Sequence, residues 1–158
     1  MIVRECLKTT QTPYMLTTLA DLTGDISYYE KAWILSCKRF ARAKRSLARV
    51  YFDKKDYLSC CNHITEALFI QPMVSEAWYL KGIACMHLEK WLDAIESFQR
   101  CVQQDQEIGE AWANIGAIYM KMNKLTMAQS ALEEALKHKS GDWRILENLL
   151  AVLLGLKK

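Results

Sequence analysis

The chain has 158 residues, 51% hydrophobic and 25% charged, with a formal net charge of +3, two prolines and six glycines. This describes an ordered, helix-rich chain and excludes a low-complexity one. Its longest strongly apolar run, 149–154, is far short of the roughly 18 residues a spanning helix needs, and Arg4 and Glu5 interrupt any signal-peptide core, so the expected setting is intracellular, cytoplasmic with the nucleus left open, and away from membrane.

In chain order, residues 2–8 read as the tail of a helix, broken by 9–12, with Pro13 tolerated in the first turn of the next. A helix is expected over about 13–22, carrying Met15, Leu16 and Leu19 and closed by Thr23-Gly24-Asp25. Another spans about 26–37, with Tyr28 or Tyr29, Ala32, Trp33 and Leu35 on its apolar face. Together they form a divergent repeat over 7–40.

From residue 41 a spacing of 34 takes over. Ala48, Gly82 and Gly116 share one place; Tyr51, Cys85 and Tyr119 another; Cys60, Ala94 and Ala128 a third; Ala67, Cys101 and Ala135 a fourth. Trp78 returns as Trp112 and Phe98 as Leu132, while Lys44 stands where the first tryptophan would be. Two amphipathic helices, joined by a short connection around Glu89 and Lys90, must lie antiparallel. Glycine inside a helix costs about 1 kcal/mol relative to alanine, so its recurrence at 82 and 116 points to close approach of the partner helix. The tryptophans are expected in the core, and with Lys44 in place of one, the interface of its repeat is expected to be thin. At Lys81 the aliphatic stem covers apolar surface. The repeats run 41–74, 75–108 and 109–142.

A last helix, about 143–156, opens a further repeat over 143–158. Its Leu146, Leu149, Leu150, Leu153 and Leu154 make a broad apolar side that nothing after it covers. Both ends therefore read as cut edges of a longer array, and self-association through them is expected.

A 34-residue period with tryptophan, glycine four residues on, an aromatic three later and an Ala-to-Phe-to-small second half resembles the tetratricopeptide repeat. The resemblance implies an all-α, right-handed superhelix of antiparallel helix pairs, and a binding scaffold without chemistry of its own. A narrower resemblance, over about 13–150, is to the tetratricopeptide repeat protein twenty-seven family. It is carried by Tyr28-Tyr29-Glu30-Lys31-Ala32-Trp33, by Arg39 to Ser46, by Leu19 to Asp25, by Phe98 to Val102 and by Glu110-Ala111-Trp112. Ala20 stands for that family's glycine and Leu146 for a tryptophan. This family implies a much longer helical protein with no assigned catalytic activity.

Nothing in the chain reads as an enzyme. There is no Gly-rich phosphate loop, nucleophile elbow or His-Glu-x-x-His, and His63, His87 and His138 fall in three different helices. No cofactor or small-molecule substrate is implied. Six cysteines at 6, 37, 60, 61, 85 and 101 contain no Cys-x-x-Cys pair; Cys60 and His63 share a helix face, yet no second ligand pair follows, so no metal is expected.

Binding is the leading reading. First helices of such pairs line an inner groove, and the inward places are Arg42, Arg45 and Arg49, then Tyr79, Ile83, Met86 and His87, then Ala113, Asn114, Ala117 and Met120. Lys38, Arg42, Arg45 and Arg49 step by four, three and four, so they are expected on one helical face. This suits a protein or peptide partner carrying acidic residues beside hydrophobic anchors. The alternative is nucleic acid bound through 38–55, where Lys38, Arg39, Arg42, Lys44, Arg45, Arg49, Lys54 and Lys55 face only Asp53 and Phe40 and Tyr51 offer rings for stacking; it ranks lower because Tyr51 belongs to the repeat core. Chaperone tails are not expected: that pattern wants asparagine at places occupied here by Ser46, Leu80, Asn114 and Asn148.

Overall fold

The computed structural model describes residues 12–156, so the expected helix tail at 2–8 lies outside the described residues. Within them the backbone is α-helical, without a strand. The helices are α1 (Pro13–Thr23), α2 (Ser27–Leu35), α3 (Ala41–Asp53), α4 (Tyr57–Ile70), α5 (Ser75–His87), α6 (Trp91–Gln104), α7 (Gly109–Lys121), α8 (Leu125–His138) and α9 (Trp143–Leu156). First helices begin at 41, 75, 109 and 143 and second helices at 57, 91 and 125, each 34 apart. The chain divides into two compact units, 1–72 and 73–158.

Local chemistry sets the ends. The Thr12 hydroxyl accepts a bond from the Met15 amide at 3.3 Å, with Pro13 in the first turn. Gly24, at φ +72°, closes α1 by donating its amide to the Ala20 carbonyl at 2.8 Å. The turn inside each later pair repeats as faithfully as the helices do. Lys55, Glu89 and Asn123 all adopt left-handed backbone, and the following amide of each, at Asp56, Lys90 and Lys124, donates to Tyr51, Cys85 and Tyr119 at 2.9 Å. For lysine and glutamate that backbone costs about 1 kcal/mol, offset by satisfying a helix-end carbonyl.

In the first unit, Leu16, Ala32 and Ala43 form one buried cluster against Tyr28, Trp33 and Phe40. Ala20, Tyr29 and Leu47 form another against Ile26, Val50 and Tyr51. Leu35, expected on the buried face of α2, is 48% exposed. At about 100° per residue it lies about 120° round from Tyr29, past the stripe that packs.

Lys44 does not thin its repeat. It is 8% exposed, and its ammonium lies 2.8 Å from Glu66 Oε2, 3.2 Å from His63 Nδ1 and 5.1 Å from the centre of the Trp33 ring. One buried cation thus ties α2, α3 and α4 where its counterparts have an indole, and its partners satisfy the charge that burial would otherwise penalise. His63 in turn stacks on Tyr51 with ring centres 5.1 Å apart.

In the second unit the glycines face large side chains. A Cβ on Gly82 would lie 2.6 Å from the Phe98 ring, and one on Gly116 would lie 2.7 Å from Leu132. Phe98, Leu132, Ala94 and Ala128 have no exposure. Close approach is therefore the reason for the recurrent glycine. Trp78 and Trp112 are half-buried and sit at the margin of the core, where a ring this large rarely disappears entirely. Trp112 covers the cluster Ala128, Leu132, Ala135, Ile145 and Val152, and the Lys81 ammonium lies 5.3 Å from the centre of the Trp78 ring. Cys60, Cys85 and Cys101 are buried, and burial pushes the Cys101 thiol up to about 11, which suits a packing role and not a reactive one.

Two outcomes follow from these contacts. Gly116→Ala should destabilise by about 1–3 kcal/mol through overpacking against Leu132, despite alanine's better helix propensity, whereas Gly141→Ala, with nothing within 4 Å, should change stability by less than about 0.5 kcal/mol; urea melts of the two variants distinguish them. His63 gives a pH signature. Burial first, then the Lys44 ammonium, hold its pKa below the ordinary 6.5, against an opposing pull from Glu66, Glu30 and Asp56. The unfolded imidazole therefore takes its proton first, so stability is fullest above 6.5 and falls as pH drops through that value toward the folded pKa. Melting temperatures measured from about pH 7 to pH 5 should show this slope in the parent chain and a flatter one in His63→Gln.

Candidate functional site

The inward places of α3 are strongly basic in sequence, but the structure engages most of that charge locally. The Arg42 guanidinium lies 4.8 Å from the centre of the Tyr14 ring and 3.4 Å from Asp21, and its bond to Tyr14 raises its pKa further. Asp21 also accepts from the Tyr29 hydroxyl, whose pKa is pushed up to about 12 by burial and then by that carboxylate. Arg45 Nη1 donates to Gln71 Oε1 at 2.6 Å. Arg49 is exposed on the same helix. Lys38 is not on this face: it precedes α3 in a turn, at φ +63°, with its amide donating to the Trp33 carbonyl. Of the rings that could stack bases, Phe40 and Tyr51 are both half-buried against the core clusters.

The second unit carries a different surface. Tyr79 on α5, Ala113, Asn114 and Ala117 on α7, and Ile145 and Asn148 on α9 line a depression of about 260 Å³, with Glu110, Lys139, Asp142 and Arg144 also around it. The register places these helices' like faces together, and two alanines on α7 keep its floor low. Asn114 Nδ2 donates to the Tyr79 hydroxyl at 3.5 Å, and burial raises the pKa of that hydroxyl, keeping it a neutral donor and acceptor. The surrounding charges pair among themselves. Lys139 bridges to Glu110, and Arg144 holds Asp142 in two bonds of 3.2 and 3.0 Å; each cation keeps its carboxylate partner below the usual range. The result is an uncharged floor of amide, phenol and methyl groups inside a balanced rim, which can bond a peptide backbone and seat small apolar side chains.

Of the expected inward residues, Tyr79, Ala113, Asn114 and Ala117 meet here. Ile83 and Met86 are half-buried and His87 is exposed further along α5, and none of the three lines the depression; Met120 packs onto the cluster around Leu132. Asn148, which stands 34 residues after Asn114 and so shares its face, also lines the depression, although the sequence places it at an equivalent position without counting it among the inward residues. The rim is harder to find, because Lys139 and Asp142 lie outside the helices that carry the period. Among the described residues no group of three or more His, Cys, Asp or Glu is placed to hold a metal ion, and no helix is long and apolar enough to cross a membrane.

Comparison with known proteins gives the same architecture. Residues 34–101 match the family described as anaphase-promoting complex, cyclosome, subunit 3, and residues 109–139 match the tetratricopeptide repeat. The tetratricopeptide repeat protein 27 homolog of Dictyostelium discoideum is 41% identical over 99% of this chain and 18% of its own length. A TPR repeat-containing protein of Schizosaccharomyces pombe is 36% identical over 90% of this chain, again 18% of its own length. The chain thus spans under a fifth of these relatives. Among solved structures, YrrB, described as a TPR protein with an unusual peptide-binding site, superposes with a TM-score of 0.79 at 21% identity, covering 92% of this chain and 74% of that one. The first TPR of Spaghetti (RPAP3), bound to the HSP90 peptide SRMEEVD, does so with a TM-score of 0.70 at 18% identity, covering 75% and 94%. From period, glycine contacts and relatives together, the chain has the tetratricopeptide-repeat fold, and its sequence resembles the tetratricopeptide repeat protein 27 family.

Proposed function

We propose that this stretch is a protein-interaction scaffold that works by binding and not by catalysis, with a peptide segment of a partner as its ligand. The observation that carries the reading is the depression on α5, α7 and α9, whose uncharged floor combines Tyr79, Asn114 and Asn148 with small apolar residues. Amides at 114 and 148 bond the backbone of an extended segment, and Ala113 and Ala117 let it approach closely. In the first unit, Arg45 and Arg49, with Arg42 beside them, offer a basic surface to acidic side chains. Ile83, Met86, His87 and Met120 supply the apolar and polarisable contacts that hydrophobic anchors need. A solved neighbour described as bound to SRMEEVD supports short acidic peptides as a ligand class; the mismatches at Ser46 and Leu80 argue against a chaperone tail as the partner here.

Selection of short peptides from a randomised library on the whole chain tests this. Selected sequences should pair Asp or Glu with large apolar residues, and their affinity should fall as salt rises. Asn114→Ala with Asn148→Ala should weaken the peptides seated in the depression of the second unit by about tenfold, the scale of one or two lost hydrogen bonds. Arg45→Glu with Arg49→Glu should weaken the acidic ones by at least about tenfold, with both variants melting as the parent does. If the charge reversals leave all affinities intact, the basic surface of α3 is not a binding site.

A further inference from the structure

Within the first unit, α3 departs from the repeat at three of its inward places. Arg42 stands where α5 has Glu76 and α7 has Glu110, Arg45 where they have Tyr79 and Ala113, and Arg49 where they have Ile83 and Ala117. Neither of those helices has a cation at any of the three. Arg42 and Arg49 lie about one turn either side of Ser46, and Arg45 lies about one turn from each of them, so the three guanidiniums belong to one stretch of helix surface. Lys44 is not part of the row, because it is buried with Glu66.

The contacts of the row hold it in place without withdrawing it from solvent. Arg42 rests on the Tyr14 ring and reaches Asp21, both on α1, yet its side chain keeps 38% of its exposure. Arg45 is bonded to Gln71, at the end of α4, and Arg49 is exposed. The row is thus anchored to α1 and to α4, in the interior of the described chain. Between the guanidiniums stands only the small side chain of Ser46, whose hydroxyl bonds that of Tyr29. Over 38–55 eight basic residues accompany one acidic residue, so an anion arriving here enters a positive field.

Arginine is suited to phosphate, because its planar fork forms paired bonds that a lysine ammonium does not. A carboxylate brings two oxygens and one charge, whereas a phosphomonoester brings three terminal oxygens and a charge of about −1.5 to −2 at pH 7. The latter can engage guanidiniums from successive turns together. We infer that Arg42, Arg45 and Arg49 bind the phosphate of a phosphorylated serine or threonine in the partner segment, an assignment that rests on the peptide-binding reading above and names the acidic group it left general. Nucleic acid is the poorer fit: Phe40 and Tyr51, the rings for stacking, are engaged by the core clusters, and Lys38 lies off the row in a turn.

Two randomised peptide libraries on the whole chain test this, one with phosphoserine fixed at its centre and one with glutamate there. Selected peptides are then titrated in both forms. The phosphoserine form should bind at least about tenfold more tightly, and Arg45→Gln with Arg49→Gln should erase that difference while the thermal melt stays that of the parent. Glutamate forms that bind as tightly overturn the inference and leave the broader reading standing. A preference that survives the double variant also overturns it, since the phosphate then sits elsewhere. If neither library yields a binder, the peptide-binding reading itself fails and this inference falls with it. A single-stranded oligonucleotide held by the same arginines more tightly than any selected phosphopeptide would assign the row to nucleic acid and overturn it as well.

Discussion

A missing side chain holds these helix pairs together. Gly82 and Gly116 leave a hollow that the Phe98 ring and the Leu132 side chain fill so closely that one added carbon would lie under 3 Å from them, nearer than packed carbon atoms tolerate. Interdigitation of this kind fixes both the distance between helices and their sliding position, since a shift of one residue would set the large group against a Cβ. The helix starts at steps of 34 follow from it: once the crossing point is fixed, the turn between the helices has one workable length. That is why Lys55, Glu89 and Asn123 accept left-handed backbone at equivalent places, although only asparagine takes it readily.

The first unit solves the same problem with different residues. Ala48 stands at the glycine place and Ile64 at the place of Phe98, both without exposure; the hollow is smaller and so is its occupant. Lys44 replaces an indole by a cation held between a carboxylate, an imidazole and the Trp33 ring. Such a cluster depends on protonation states in a way that an indole does not, which gives this unit a sensitivity to mild acid.

What could be read from the sequence was whatever repeats. The period located α3 to α9 and the glycine contacts, because each is a local pattern stated more than once. Lys44 was misjudged because its partners, Trp33, His63 and Glu66, lie on other helices and no spacing rule joins them. Leu35 was misplaced because nine residues of helix are too few for periodicity to fix a face. Lys38 matched a helical step but precedes the helix, in a turn. At the candidate site, Tyr79 and Asn114 were legible from the register and Asn148 was within its reach, whereas Glu110, Lys139, Asp142 and Arg144 pair by geometry near the ends of helices, where the repeat carries no information.

The surfaces divide accordingly. Places that pack one helix on the next are constrained in size, whereas places facing the depression are free to vary in chemistry, and it is there that the proposed scaffold role puts partner choice. The central claim, that a hollow on the first helix is matched in size to a side chain on the second, is tested most directly in the unit that lacks the glycine. Urea unfolding should show Ile64→Phe destabilised by about 1–3 kcal/mol through overpacking, and Ile64→Phe with Ala48→Gly recovering most of that loss. If Ala48→Gly instead adds its own helix penalty of about 1 kcal/mol to the damage, the two places do not face each other and the account of the register is wrong.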